Sequence, residues 1–198
     1  MHRTANIVIA LLGLIACSRS DSSRKEASPP MTAHTDTVVP TSGVLVITSS
    51  AFATGDTIPK AYTCDGANRS PSLSWTGAPA RTAAWALIVE DPDAAAGTFI
   101  HWILYDIPGA TTSVPEGIPP GGTVPQLGNA RQGRTSFGVV GYGGPCPPPG
   151  SPHHYHFRLS ALDAKLGLDA GATRDQVRDA MRGHELGQGD LMGLYGRK

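Results

Sequence analysis

Apolar residues along this chain fall into short runs separated by Gly, Pro and polar stretches, a pattern of strands and turns. Val44-Leu45-Val46-Ile47 is short and β-branched and predicts a first strand. Residues 52–71 are interrupted by Gly55, Pro59, Gly66 and Pro71 and read as loop. Ser72-Leu73-Ser74-Trp75 alternates polar and apolar, as a half-buried strand does. The run from Ala83 to Val89 is almost wholly apolar and reads as a central strand, delivering Glu90, Asp91 and Asp93 to its C-terminal edge. Phe99 to Ile107 predicts another strand, stopped by Pro108. Residues 109–133 are rich in Gly and Pro and predict a long surface loop, and Phe137 to Tyr142 predicts a strand. The five prolines between Gly143 and Pro152 exclude regular structure there. Tyr155, Phe157, Leu159 and Ala161 then alternate with His156, Arg158 and Ser160 in an amphipathic strand. Helix is predicted only near the end. Thr173 is an N-cap with Gln176 three residues on, and Val177, Met181 and His184 or Glu185 follow at helical spacing. Gly187 and Gly189 break the pattern, and Leu191 to Tyr195 reads as a last short turn. The domain is therefore dominated by β structure with a small C-terminal helical segment.

The N-terminus belongs to a different regime. Arg3 precedes an apolar stretch from Ile7 to Ile15 that is too short to span a bilayer comfortably. It ends in Leu14-Ile15-Ala16-Cys17, which matches a bacterial lipoprotein cleavage box. Residues 1–16 are thus expected to be a signal peptide and Cys17 the lipidated residue. Buried acyl chains contribute about 0.8 kcal/mol per CH₂ to anchoring. Ser18 rather than Asp follows that cysteine, which by the Gram-negative sorting rule points to the outer membrane. Residues 17–42 hold Ser, Thr, Pro and charge with little apolar content and read as a flexible tether. That leaves residues 43–198, about 155 residues, as one folded domain. The formal net charge is zero, with no basic run, which argues against nucleic acid as a partner. Export would place Cys64 and Cys146 in an oxidising compartment, either as a disulfide or as two buried thiols.

Three polar clusters carry candidate chemistry. Asp91-Pro92-Asp93 stands at a strand end, His101 interrupts the apolar run Phe99-Ile100-His101-Trp102-Ile103, and His153-His154-Tyr155 follows the proline-rich segment. In a regular strand His101 shares the face of Phe99 and Ile103, and His153 shares that of Tyr155. Two imidazoles and a phenol facing one cavity supply donors suited to a phosphate or carboxylate, and Asp91 can orient one of the imidazoles.

The clusters Asp91-Pro92-Asp93-Ala94, Phe99-Ile100-His101-Trp102 and Gly141-Tyr142-Gly143-Gly144-Pro145-Cys146-Pro147-Pro148, with His153-His154-Tyr155, occur alongside Cys64-Asp65-Gly66, Asn68, Ser70-Pro71 and Leu73-Ser74-Trp75. In this order and spacing they resemble the phosphatidylethanolamine-binding protein family, in its bacterial Raf-kinase-inhibitor-like (YbhB/YbcL) branch. The resemblance covers about residues 44–197. It implies a β-sandwich of antiparallel sheets with a small C-terminal helical part. It also implies an anion pocket in which Asp91, His101, Pro147, His153 and Tyr155 take part, with Asp93 as the second acid of its motif. Ala95 stands where Pro is common, His154 where Arg is usual and Thr135 where Asn is common. His154 should point away from His153, so the pocket is expected to survive that change.

The function expected is a lipid-anchored binding protein on the periplasmic side of a membrane, holding a small anion or phospholipid head group. The alternative is a protein-interaction inhibitor of a protease or kinase-type partner, presenting the 108–133 segment, with the pocket vestigial. The chain has no Gly-x-Ser-x-Gly, P-loop or His-Glu-x-x-His motif, and no nucleophile stands beside the histidines, so neither catalysis nor a cofactor is expected. A metal site of His101, His153, His154 and Cys146 is disfavoured because the histidines at 153, 154 and 156 split between two strand faces.

Overall fold

The computed structural model describes residues 44–198. The expected signal peptide, Cys17 and tether lie outside the described residues. The strands are β1 (Val46–Thr48), β2 (Leu73–Thr76), β3 (Ala84–Asp91), β4 (Phe99–Pro108), β5 (Ser113–Val114), β6 (Thr123–Val124), β7 (Ala130–Gln132), β8 (His153–Leu162) and β9 (Glu185–Tyr195). The helix α1 spans Arg174–Met181. The strands form a three-stranded sheet in the order β1-β2-β5 and a six-stranded sheet in the order β6-β7-β4-β3-β8-β9. All their pairings are antiparallel.

Every residue of β3 is buried, which explains its unbroken apolar run. Trp85, Leu87 and Val89 face the three-stranded sheet and pack with Ile47, Leu73, Trp75 and Val114. Ala86 and Ile88 face the other way, into a second core with Val177 and Met181 of α1. The six-stranded sheet is therefore covered on both faces along its middle, by a sheet on one side and by the helix on the other. Trp75 and Trp85 meet edge-on across the inter-sheet core, with centroids 5.4 Å apart. The capping box of α1 is formed as its sequence predicts, between Thr173 and Gln176.

The chain departs from the sequence pattern in four places. The helix stops at Met181, because the backbone turns through Gly183 at φ +81°, and His184 leaves the helical path to pair with Asp163. Leu191 to Tyr195 is not a helical turn but the end of the 11-residue edge strand β9. Gly193 sits there because a Cβ would lie 2.6 Å from Ile58 Cγ1 and 2.8 Å from Phe52 Cε2. Residues 109–133 are more than surface loop. They contain β5, β6 and β7, and Gln132 is fully buried, accepting from Trp102 Nε1 and donating to the carbonyls of Pro119 and Gly121, each at 2.8 Å. Residues 137–142 form no strand; Gly138 at φ +81° makes a turn, beside which Arg134 and Val140 form an isolated bridge.

Candidate functional site

Three strand ends converge on one side of the six-stranded sheet. β3 ends at Asp91, β4 begins opposite it at Phe99, and β8 begins at His153 on the other flank of β3. β4 is irregular at this point. Val89 pairs with Trp102 while the next residue, Glu90, pairs with Ile100, so His101 is an extra residue in a β-bulge. The bulge corrects the face expected for His101. Ile100 and Ile103, three apart, both enter the helix-side core. His101 instead turns with Trp102 toward the inter-sheet side, keeping contact with Phe99 and standing edge-on to Tyr155 at 5.1 Å.

The structure places Asp91, Asp93, His101, Pro147, His153 and Tyr155 around a single cavity of about 320 Å³. Asp91 is buried, and both of its oxygens are engaged. His153 Nδ1 donates to Oδ2 at 2.8 Å and the Asp93 backbone N–H to Oδ1 at 2.8 Å. His101 is 2 % exposed, and its Nδ1 donates to the Gly143 carbonyl at 2.7 Å. A carbonyl only accepts, so the proton sits on Nδ1. Burial pushes the His101 pKa below the ordinary imidazole range, with the Gly143 carbonyl and Asp91 opposing. The neutral ring then presents a lone pair at Nε2. Tyr155 is fully buried, and its hydroxyl has no hydrogen-bond partner. Burial raises the phenol's pKa, and the neighbouring Asp91 carboxylate raises it further, so the hydroxyl stays protonated.

Asp93 lies at the rim. His154 donates to its Oδ2 from both backbone N, at 2.8 Å, and Nδ1, at 2.7 Å, and these bonds hold the Asp93 carboxyl below its usual range. His154 thus points away from His153, as strand alternation requires. His156 pairs outside the cavity with Asp190. Among the described residues no group of three or more His, Cys, Asp or Glu side chains is arranged to hold a metal ion.

Cys64 and Cys146 are bridged, with Cα atoms 5.4 Å apart, and Cys146 and the buried Pro147 form part of the cavity wall. The proline-rich segment is also tied down by Tyr142, whose hydroxyl donates to the Tyr62 carbonyl, and by the Gly144 N–H, which donates to Asn68 Oδ1. Two contributors escaped the sequence pattern. Phe137 closes one side of the cavity, edge-on to Phe99 at 4.7 Å and to His101 at 5.4 Å. Gly143 supplies the carbonyl that fixes the His101 tautomer. The available signal was the run Gly141-Tyr142-Gly143-Gly144. A Cβ at Gly143 would lie 2.6 Å from Phe137 Cδ2, so only glycine lets that ring close over the site.

A sandwich of antiparallel sheets with a ligand-sized cavity where strand ends converge defines a β-sandwich binding protein. The sequence pattern of the phosphatidylethanolamine-binding proteins matches residues 48–196, and the chain belongs to that family. It is 47% identical over 151 residues to a UPF0098 protein of Pyrococcus horikoshii, covering 76% of each chain. It is 36% identical over 205 residues to a Mycobacterium tuberculosis protein that carries the lipoprotein name LppC, covering 98% of this chain and 97% of that one. The structure superposes with a TM-score of 0.71 on the crystal structure of Escherichia coli YbcL, a member of the same family, at 31% identity, covering 79% of this chain and all of that one. A phosphatidylethanolamine-binding protein homologue from Chlamydia trachomatis gives the same TM-score at 37% identity, covering 78% and 99%.

Proposed function

We propose that the protein binds small anions, phosphate or a phosphate-bearing group foremost, in the cavity between Asp91, His101, Pro147, His153 and Tyr155. The observation that carries this reading is the unused hydrogen-bonding capacity at the cavity floor. The Tyr155 hydroxyl is buried without a partner, and a buried polar group left unpaired costs about 1–3 kcal/mol. Beside it, both imidazoles commit Nδ1 to the protein and keep Nε2 for another partner. A phosphate oxygen accepts from Tyr155 and from a protonated Nε2, while an acidic ligand proton satisfies a neutral Nε2. Binding an unprotonated anion therefore takes up a proton, and affinity rises as pH falls. The wall of Pro147 and the disulfide keep the cavity pre-formed, which lowers the ordering cost.

We also read the chain as an exported lipoprotein anchored through Cys17. The lipoprotein-named mycobacterial relative, which aligns with nearly the whole chain, supports this. Anchoring would hold the cavity close to phospholipid head groups.

Thermal melting of the purified protein against phosphate tests the binding reading. Phosphate at 100 times its dissociation constant should stabilise the fold by roughly 2.7 kcal/mol. Tyr155→Phe and His153→Asn should lose most of that stabilisation. No shift with phosphate, or an undiminished shift in both variants, overturns the proposal.

A further inference from the structure

The helix side of the six-stranded sheet carries a second cavity, which shares no residue with the strand-end site. It lies between the end of α1 and strands β3, β8 and β9, and holds about 400 Å³. Ile88 and Met181 give it an apolar patch continuous with the helix-side core. Arg158 and Ser160 reach it together because alternate residues of a strand share one face. Ser160 is buried and accepts from Gln188 Nε2 at 3.3 Å, which leaves its own proton free to donate.

Five charged side chains line this cavity, and three of them are already matched. Glu90 is buried and pairs with Arg158, and with Arg174 from outside the lining. Arg182 pairs with Asp179. Arg178 and Glu185 differ from these. Both are exposed, and neither has an ion-pair partner among the described residues. They come from different elements, α1 and β9, and do not pair with each other across the cavity. Arg178 stands in the last turn of α1, where a cation also offsets the partial negative charge of the helix end. That role requires neither a cavity nor an unpaired carboxylate opposite.

We propose that this cavity binds a small zwitterion of the amino-acid type, its carboxylate on Arg178 and its ammonium on Glu185. A guanidinium takes a carboxylate through two parallel hydrogen bonds, and the Ser160 hydroxyl adds a third donor. The ammonium donates to Glu185 and to the Gln188 side-chain oxygen. Ile88 and Met181 receive an aliphatic side chain. A simple anion satisfies Arg178 but is repelled by Glu185, and a simple cation meets the reverse. A ligand carrying both charges neutralises both. Free amino acids and short peptides share this chemistry and differ in the distance between their charges.

Calorimetric titration of the purified protein tests the assignment with four probes. They are L-leucine, the dipeptide alanyl-leucine, N-acetyl-leucine, which lacks the ammonium, and leucine amide, which lacks the carboxylate. The tighter of leucine and alanyl-leucine identifies the source as amino acid or peptide, and either result upholds the site. Each singly charged analogue should bind about tenfold more weakly than leucine. Arg178→Gln should bring leucine and leucine amide to equal affinity, because the carboxylate has lost its partner. Glu185→Gln should equalise leucine and N-acetyl-leucine in the same way. Both residues are exposed, so neither change disturbs the core. Tyr155→Phe, in the other cavity, should leave all four affinities as they are. N-acetyl-leucine or leucine amide binding as tightly as leucine to the parent protein would overturn the proposal. So would affinities unchanged in both charge variants, or no binding by either leucine or alanyl-leucine, which would leave Arg178 as a helix-end cation alone. None of these results bears on anion binding at the strand ends.

Discussion

At the scale of the residue, His101 is the position where folding and binding oppose one another. Its ring is enclosed by Phe99, Phe137 and Tyr155, with Asp91 and His153 as the titratable neighbours that face it along with Tyr155. Burial keeps it neutral. An unfolded histidine takes up its proton near pH 6.5, whereas the folded one resists until a lower pH. The folded state thus binds fewer protons in that window. The stability His101 contributes is complete above about pH 6.5 and declines as pH falls below it. Urea unfolding at pH 7.5 and 5.5 checks the sign. The loss of stability between the two should be smaller in His101→Gln than in the parent, and an equal or greater loss would contradict the assignment. The chemistry of this residue was legible in the sequence, since an imidazole inside an apolar strand demands a partner. Its direction was not. The bulge that re-aims it depends on how Val89 and Glu90 pair across the sheet, which no local pattern encodes.

At the scale of the element, the segments with clear periodicity formed where the pattern placed them. β3, β4 and β8 follow their apolar runs, and α1 begins at its capping box. Two of the departures share a cause, because Gly was read as punctuation where it serves close packing or a short pairing; in the other two, Gly183 and Gly138 turn the chain where helix and strand were expected to run on. β9 carries Gly187, Gly189 and Gly193 because neighbouring residues press against it, and β6 and β7 pair over only two or three residues. Gly193→Ala should therefore destabilise the protein by about 1–3 kcal/mol, as overpacking does. The change would be read as a lower chemical-denaturation midpoint with an unchanged slope. An unaltered midpoint would mean that Ile58 and Phe52 yield without cost.

At the scale of the whole molecule, the site exists because topology brings together residues far apart in sequence. Asp91, His101, His153 and Tyr155 come from three strands, and irregular segments pinned to them close the cavity. The Cys64–Cys146 bridge links two such segments across a sequence separation of 82. A closure of that length contributes about 2–4 kcal/mol. The motifs were visible one by one, but their meeting follows from the strand order β4-β3-β8, which sets the ends of three strands side by side. The cavity's apolar wall was not visible at all, since Phe137 reads as an ordinary strand residue until the turn at Gly138 is known. The central claim is that His101 and His153 present Nε2 to an anion. Nitrogen-15 NMR of the histidine side chains, recorded while phosphate is added near pH 6.5, observes this directly. The account predicts that the Nε2 resonances of His101 and His153 shift together and saturably, while those of His154, His156 and His184 stay in place. Shifts confined to the three surface-paired histidines, or none at His101 and His153, would contradict it.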